Sequence, residues 1–273
     1  MFNIQEFNHN LIGYALGDSL TTDDASQLNV AESGAASDDM LYMAKELIKR
    51  IKNDPRIDVE NHWKLISIMI GVNDFCTNIC WNSSPSSILD KHKADLIQVL
   101  TTLRENLPRT LISLIPPQHM KTLVVSRKGR PSFTCDLMTN IECSCMFGLK
   151  YQSFIPKYYN IMRRWQELDM EISIYPEFQR DDFAVITQAI TLDLSIPLAS
   201  DKYADTTYFT IDCFHYSQKT NARIANGLWN NLLEPVGVKT KSWQDLFERF
   251  LCPTSERPYL ATLQNSSPRE KEE

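Results

Sequence analysis

The sequence has few glycines and no long apolar run. Glycine accounts for 8 of 273 residues, about 3% where about 7% is usual, so each glycine is expected where the backbone requires it. The richest apolar stretches, residues 65–70 and 111–115, have the length of strands. A bilayer-spanning helix needs roughly 20 apolar residues, and we therefore expect no transmembrane segment in this chain.

Positive charge is also scarce. Lys and Arg number 28 against 34 Asp and Glu, which gives a net charge of −6, and no basic cluster is longer than a pair. Nucleic-acid-binding domains have a basic patch or stripe, so this composition argues against nucleic acid as a partner. With 43% hydrophobic and 23% charged residues, the composition also excludes a disordered or fibrous protein.

Residues 1–10 contain neither the basic stretch nor the apolar core of a signal peptide. Other features nevertheless favour an oxidising compartment, because the sequence contains seven cysteines and two N-glycosylation sequons, at Asn82 and Asn265. We therefore expect an extracellular or cell-surface protein whose signal peptide and any membrane anchor lie outside this chain.

The cysteines admit two interpretations. Cys143 and Cys145, with Cys135 and the nearby His119, could form a metal site, but their spacing differs from the C-x2-C pair of zinc ribbons. Disulfides in a surface loop are the favoured interpretation, and no metal is expected. The odd count leaves at least one thiol unpaired within the chain. The possible disulfide cysteines are Cys76, Cys80, Cys135, Cys143, Cys145, Cys213 and Cys252.

Strand and helix patterns alternate along the chain. Apolar runs predict strands over residues 11–16, 63–70, 110–115 and 183–190, and amphipathic segments predict helices over 37–52, 86–107, 151–170 and 218–233. The polar, cysteine-bearing segment 123–148 has no period, and the polar tail 265–273 is expected to fray. The alternation predicts one α/β domain over residues 1–273, with a mostly parallel sheet and ligands beyond the carboxyl ends of its strands.

Candidate catalytic residues follow the predicted strands. Ser19 comes directly after Gly17-Asp18, where a strand-to-helix turn would hold a serine beside backbone N–H groups, although a helix cap also fits. His215 comes three residues after Asp212. That spacing lets the carboxylate bind one imidazole nitrogen and leaves the other for a serine, although a solvated turn has the same pattern.

Acyl transfer also requires hydrogen-bond donors directed at the developing oxyanion. A further short strand is expected directly before Gly34, which could then offer a backbone N–H. Asn73, after the strand over 63–70, could offer its side-chain amide. An ordinary turn explains either residue alone. Together with Ser19, Asp212 and His215, however, they occur in a consistent order at strand ends.

Four sequence blocks resemble those of the GDSL (SGNH) lipases and esterases: Gly17-Asp18-Ser19-Leu20, Gly34, Gly71-Val72-Asn73-Asp74 and Asp212-Cys213-Phe214-His215. The stretches 15–21, 63–76, 181–185 and 212–237 more narrowly resemble the animal membrane-associated phospholipase B subfamily. The resemblance extends from about residue 11 to residue 253, which would be the core of the domain.

The resemblance implies a three-layer α/β/α sandwich and a serine esterase that hydrolyses acyl esters of phospholipids and lysophospholipids at membrane or micelle surfaces, without a metal or cofactor. It makes Ser19 the nucleophile, His215 the general base and acid, and Asp212 the carboxylate that orients His215. The backbone N–H groups of Ser19 and Gly34 and the amide of Asn73 would form the oxyanion hole.

One stretch departs from the subfamily. Only fourteen residues, 20–33, separate Ser19 from Gly34, whereas the subfamily usually has a much longer segment there. One alternative is therefore a catalytically impaired splice or fragment form that binds only lipid or a partner. Another is an SGNH esterase for water-soluble or acetylated-sugar esters. The aromatic-rich segments 151–165 and 203–214 could stack on sugars or line an acyl tunnel, and the sequence does not separate these two roles.

Overall fold

A small, mostly parallel sheet lies at the centre of the fold, as seen in a computed structural model that describes residues 2–243 and 248–266. Its strands are β1 (Lys64–Ile68), β2 (Thr110–Leu114), β3 (Gln179–Arg180) and β4 (Phe183–Thr187). The order across the sheet is β1-β2-β4-β3. β1, β2 and β4 are parallel, with Thr110 in register with Lys64 on one side and Phe183 on the other, and β3 is antiparallel to β4.

Helices flank this sheet. They are α1 (Phe2–Gln5), α2 (Met40–Asn53), α3 (Ser87–Asn106), α4 (Lys121–Ser126), α5 (Phe133–Glu142), α6 (Ser144–Phe147), α7 (Ile155–Ser173), α8 (Gln218–Leu233) and α9 (Leu263–Ser266). Within the described ranges, none of them is both long enough and apolar enough to cross a membrane.

The helices with a one-sided apolar stripe match the sequence predictions. Five stripe residues of α2 are all buried: Met40, Ala44, Leu47, Ile48 and Ile51. They pack with buried side chains of α3, α7, β2 and β4 in the largest apolar core. The helices predicted over 86–107 and 218–233 are also confirmed. α3 lies within the first range, and α8 has the bounds of the second. Burial of a stripe is what stabilises such helices in water.

The strand predicted over residues 11–16 is wrong. The Leu16 N–H donates to the Ala25 carbonyl and the Leu28 N–H to the Gly13 carbonyl, so this segment pairs with residues shortly after it as an irregular loop. The second strand expected before Gly34 is absent as well. A parallel crossover needs about a dozen residues or more, and the short connection leaves too little chain for a strand, a helix and a second strand. β1 is consequently an edge strand of the described sheet.

The segment 123–148 is helical rather than aperiodic, which corrects the sequence interpretation. It contains the end of α4, all of α5 and all of α6. Ser132 caps α5 by accepting a hydrogen bond from the Cys135 N–H at 3.3 Å. The apolar period was missed because the large apolar side chains of α5 face solvent instead of a core.

The tail expected to fray begins inside α9. The Ser266 hydroxyl accepts a hydrogen bond from the Val236 N–H at 2.8 Å, and the Asn265 side chain accepts one from the Thr262 N–H at 2.7 Å. These bonds hold the first two residues of the tail against the protein. Residues 267–273, the rest of it, lie outside the described residues.

Candidate active site

The loop around residues 209–216 brings Asp212 and His215 together. The His215 Nδ1 lies 2.7 Å from the Asp212 Oδ2, and the backbone N–H groups of Phe214 and His215 donate to the Asp212 Oδ1 at 2.9 and 3.0 Å. The Thr210 hydroxyl donates to the same oxygen. Cys213 has a φ of +60°, which produces the tight turn between the two side chains.

These hydrogen bonds determine the charge of Asp212. Partial burial by itself would raise the pKa of the carboxyl group, but the bonds from Thr210, Phe214 and His215 lower that pKa well below its usual range. Asp212 is therefore a carboxylate at any ordinary pH, bound to Nδ1 of an imidazole that is 60% exposed. The Nε2 of His215 is thereby left for proton transfer with another group.

Ser19 lies in an exposed loop rather than at the end of a strand. Its Oγ donates to the Gly17 carbonyl at 3.3 Å, and the adjacent Leu20 N–H donates to the Asp23 carboxylate at 2.9 Å. Within the described part of the chain, no hydrogen bond joins Ser19 to His215. The structure thus assembles the histidine and its carboxylate, whereas the Ser19 hydroxyl is hydrogen-bonded within its own loop.

Gly34 and Asn73, the two further oxyanion candidates, belong to adjoining segments. Asn73 follows β1, and its Nδ2 donates to the carbonyl of Ala35, the residue after Gly34, at 2.8 Å. An amide nitrogen has two hydrogens, so one Asn73 N–H is left to donate elsewhere. Gly34 has a φ of +78°, a conformation that glycine adopts without strain. The structure therefore brings the Gly34 turn and Asn73 together at the carboxyl end of β1.

A buried hydrogen-bonded network fixes the segment that follows Gly34. The Ser37 N–H donates to the Asp74 carboxylate at 3.0 Å, and the Ser37 Oγ lies 2.7 Å from the His92 Nδ1. The His92 Nε2 lies 2.7 Å from the Asp169 Oδ1, and its ring stacks on Trp165. The network connects the turn to the residue after Asn73, to α3 and to α7.

Ser37, His92 and Asp169 have the order of a catalytic triad but not its accessibility. All three are at most 2% exposed, so no ester can reach the Ser37 hydroxyl. Their role is therefore structural. Sequence reasoning missed them, although His92 lies four residues from both Ile88 and Leu96 on the apolar stripe of α3, and a histidine in such a stripe needs a buried partner.

The two buried carboxyl groups of this network share one electrostatic feature. Burial raises the pKa of Asp74 to about 6, although the hydrogen bond from Ser37 and the nearby His92 oppose the shift. Burial likewise raises the pKa of Asp169, against the hydrogen bond with His92. Both groups therefore hold a proton more tightly than an exposed aspartate does.

Three disulfides join Cys76 to Cys143, Cys80 to Cys145, and Cys135 to Cys213. Cys252 is exposed and has no disulfide. The metal interpretation fails because its cysteines pair with other cysteines and the His119 Nε2 lies 3.0 Å from the Tyr159 carbonyl. The third disulfide connects α5 to the residue after Asp212, and so attaches the candidate catalytic loop, residues 209–216, to that helix.

The two sequon asparagines lie on the surface. Asn82 is exposed and hydrogen-bonds to Ser84 and Ser87, and Asn265 is exposed at the end of α9. Their glycosylation stays a prediction.

The chain belongs to the GDSL-like lipase/acylhydrolase family, whose model matches residues 4–228 and so includes all five candidate residues. Membership agrees with the SGNH α/β fold, in which a mostly parallel sheet is flanked by helices. The chain is 35% identical over 266 residues to "Phospholipase B1, membrane-associated" of Mus musculus and 30% identical over 270 residues to the protein of that name from Homo sapiens.

These alignments include 96% and 97% of this chain but only 18% of each relative. The chain thus spans less than a fifth of the length of the curated relatives that it matches. No solved structure matches it.

Proposed function

We propose that this chain is a serine lipid esterase that hydrolyses acyl esters of phospholipids and lysophospholipids through an acyl-enzyme. The observation that carries the proposal is the Asp212–His215 pair, with its 2.7 Å contact and its exposed imidazole, in a chain of the GDSL family. The names of the relatives, which are phospholipases, support the substrate class.

The proposed roles are those that the family resemblance implies, supported by the Asp212–His215 pair. The Ser19 Oγ attacks the ester carbonyl carbon while the His215 Nε2 takes the hydroxyl proton, and Asp212 holds the imidazolium that forms. The backbone N–H groups of Ser19 and Gly34 and the Asn73 amide donate to the oxyanion. Collapse expels the alcohol, which takes the proton from His215, and water then releases the fatty acid by the same two steps. This chemistry requires neither metal nor cofactor.

The surrounding context belongs to the same proposal. Residues 1–273 form one domain, shortened between residues 20 and 33, that works on lipid at an extracellular or cell-surface location. The three disulfides support an oxidising compartment. The membrane association in the relatives' names supports a lipid surface as the place of action.

A fluorophosphonate probe tests the nucleophile directly. We expect the folded protein to be labelled, Ser19→Ala to abolish labelling, and the exposed Ser200→Ala to leave it unchanged. Labelling that survives in Ser19→Ala would contradict the assignment. The probe reports the serine whatever the natural ester is.

One observation favours a second candidate, the catalytically impaired form that only binds lipid or a partner. Ser19 is in an exposed loop without a bond to His215, and the strand expected before it is absent. Turnover of a lysophospholipid that disappears in Ser19→Ala would exclude this candidate. In the same assay, a strict preference for acetyl over long acyl esters would instead favour the esterase for water-soluble esters.

A further inference from the structure

Helix α5 exposes an apolar stripe to solvent. Phe133, Leu137 and Ile141 are 84%, 50% and 63% exposed, and their spacing of four residues puts them on one side of the helix. Amphipathic helices of soluble proteins normally turn such a stripe toward a core. An exposed contiguous stripe therefore indicates a surface that contacts another apolar phase or molecule. We call these three side chains the α5 face.

The helix that carries the α5 face is attached to the candidate catalytic loop. Cys135, within the same helix, is disulfide-bonded to Cys213, which lies between Asp212 and His215. Ile211, the residue before Asp212, is 93% exposed and adds an apolar side chain from the loop itself. A cavity of about 490 Å³ lies between the start of α5 and this loop, lined by residues of 126–135 and 206–213. Cys135 lies about 160° around α5 from the middle of the α5 face, so the width of the helix separates that face from the disulfide-bonded loop.

The sequence segment that carries the α5 face has a net charge opposite in sign to that of the whole chain. Residues 121–150 contain five lysines and arginines against two acidic residues, in a chain with a net charge of −6. Arg127 and Arg130 are paired with Asp136 and Asp201, but Lys121 and Lys128 are exposed. Apolar side chains flanked by lysines are the combination that binds a surface of anionic headgroups.

We propose that the α5 face inserts into the headgroup region of a phospholipid surface and so holds the disulfide-linked Asp212–His215 loop near the lipid–water boundary. The proposal deepens the proposed function and rests on it for the chemistry that follows docking. The occupant is a lipid surface, because the basic surroundings match anionic headgroups and the catalytic loop is attached to the same helix. A second copy of this chain is the competing occupant.

Binding is measured by sedimentation with vesicles of diether phosphatidylcholine, with and without diether phosphatidylglycerol, so that no ester is consumed. All proteins have the Ser19→Ala background. We expect the triple variant Phe133→Gln, Leu137→Gln, Ile141→Gln to bind at least about tenfold more weakly, because three apolar side chains lose their burial. Tyr42→Gln, at an exposed aromatic on α2, is the matched control and should bind like the parent.

Phe133→Gln alone provides a second test, because so exposed a side chain contributes little to folding. It should weaken vesicle binding by several-fold with an unchanged unfolding midpoint. Equal vesicle affinity of the folded triple variant and the parent would overturn the proposal. A parent dimer in sedimentation velocity that the triple variant lacks, without vesicle binding by either, would overturn it in favour of self-association.

Failure of docking and failure of the proposed function give different results. Without the Ser19→Ala change, the triple variant should hydrolyse a water-soluble short-chain ester as fast as the unmodified chain while losing activity on vesicles. If the proposed function is wrong, neither protein turns over the soluble ester, yet vesicle binding still depends on the α5 face. Equal loss of activity on both substrates in the folded triple variant would count against docking.

Discussion

Individual side chains near the candidate site differ in what burial does to them. Asp212 is hydrogen-bonded on both oxygens and keeps its charge, whereas Asp74 is buried and holds its proton more tightly. The first group serves an exposed histidine, and the second holds a backbone turn. Substitutions of the two groups should therefore appear in different measurements, activity for Asp212 and stability for Asp74.

For Asp212, we expect Asp212→Asn to lower kcat/KM for ester hydrolysis by about 10³–10⁴-fold, because the amide no longer stabilises the imidazolium or fixes its tautomer. The lowered pKa of Asp212 keeps its carboxylate ionised at any ordinary pH, so the substitution removes that charge throughout the assay range. Steady-state rates of ester hydrolysis measure this effect. Asp90→Asn, at an exposed carboxylate of α3, should leave kcat/KM unchanged, and equal rates for Asp212→Asn and the unmodified chain would argue against the assignment of Asp212.

For Asp74, the pKa is about 6 in the folded protein against 3.8 for an ordinary aspartate. The folded state binds the proton more tightly than the unfolded state, so ionisation of Asp74 destabilises the protein as pH rises from about 4 to about 7. Asp74→Asn retains an oxygen for the Ser37 N–H and cannot ionise. We expect it to gain about 3 kcal/mol in free energy of unfolding relative to the unmodified chain over that range.

Urea unfolding at several pH values measures this difference. Asp90→Asn is again the control and should show no comparable trend. An Asp74→Asn advantage that shrinks as pH rises would contradict the direction of the shift.

At the scale of the elements, the sequence predicted those that depend on their own pattern. α2 and α8 follow from their stripes and end signals, and β2 from an apolar run between turn residues. The segment over 11–16 has an equally apolar run, but a parallel strand also needs a crossover long enough to reach its neighbour. The sequence did not predict α5, because the large apolar side chains of this helix are exposed to solvent instead of packing in the core.

In the candidate site, too, the sequence predicted contacts within one loop but not contacts between distant residues. Asp212 and His215 were predicted because their contact spans three residues of one loop. The network of Ser37, His92 and Asp169 joins residues 55 and 77 positions apart, and only the folded chain shows which polar groups meet. Gly34 and Asn73 were named from their position after strands, and their contact through Ala35 likewise depends on the fold.

One substitution in the network tests how strongly it holds the segment after Gly34, α3 and α7 together. His92→Leu leaves the Asp169 carboxyl group and the Ser37 hydroxyl buried without their partner, and we expect a loss of about 3–5 kcal/mol in free energy of unfolding. Urea denaturation provides the measurement. His62→Leu, at an exposed histidine, should cost less than about 0.5 kcal/mol. Equal midpoints for the two variants would show that the network does not hold the turn.

At the scale of the whole molecule, the five-residue strand β1 is the longer of the two edge strands of the described sheet, the other being the two-residue β3. β1 is hydrogen-bonded only to β2 among the described strands, so the backbone groups along its other side have no strand partner there. Native proteins usually cover or charge such a boundary, because it accepts strands from neighbouring copies of the chain. The shortened connection after Ser19 thus also affects how the protein has to be handled in solution. The protein should stay in solution when it is dilute, whereas a high protein concentration should favour β-pairing between chains and precipitation.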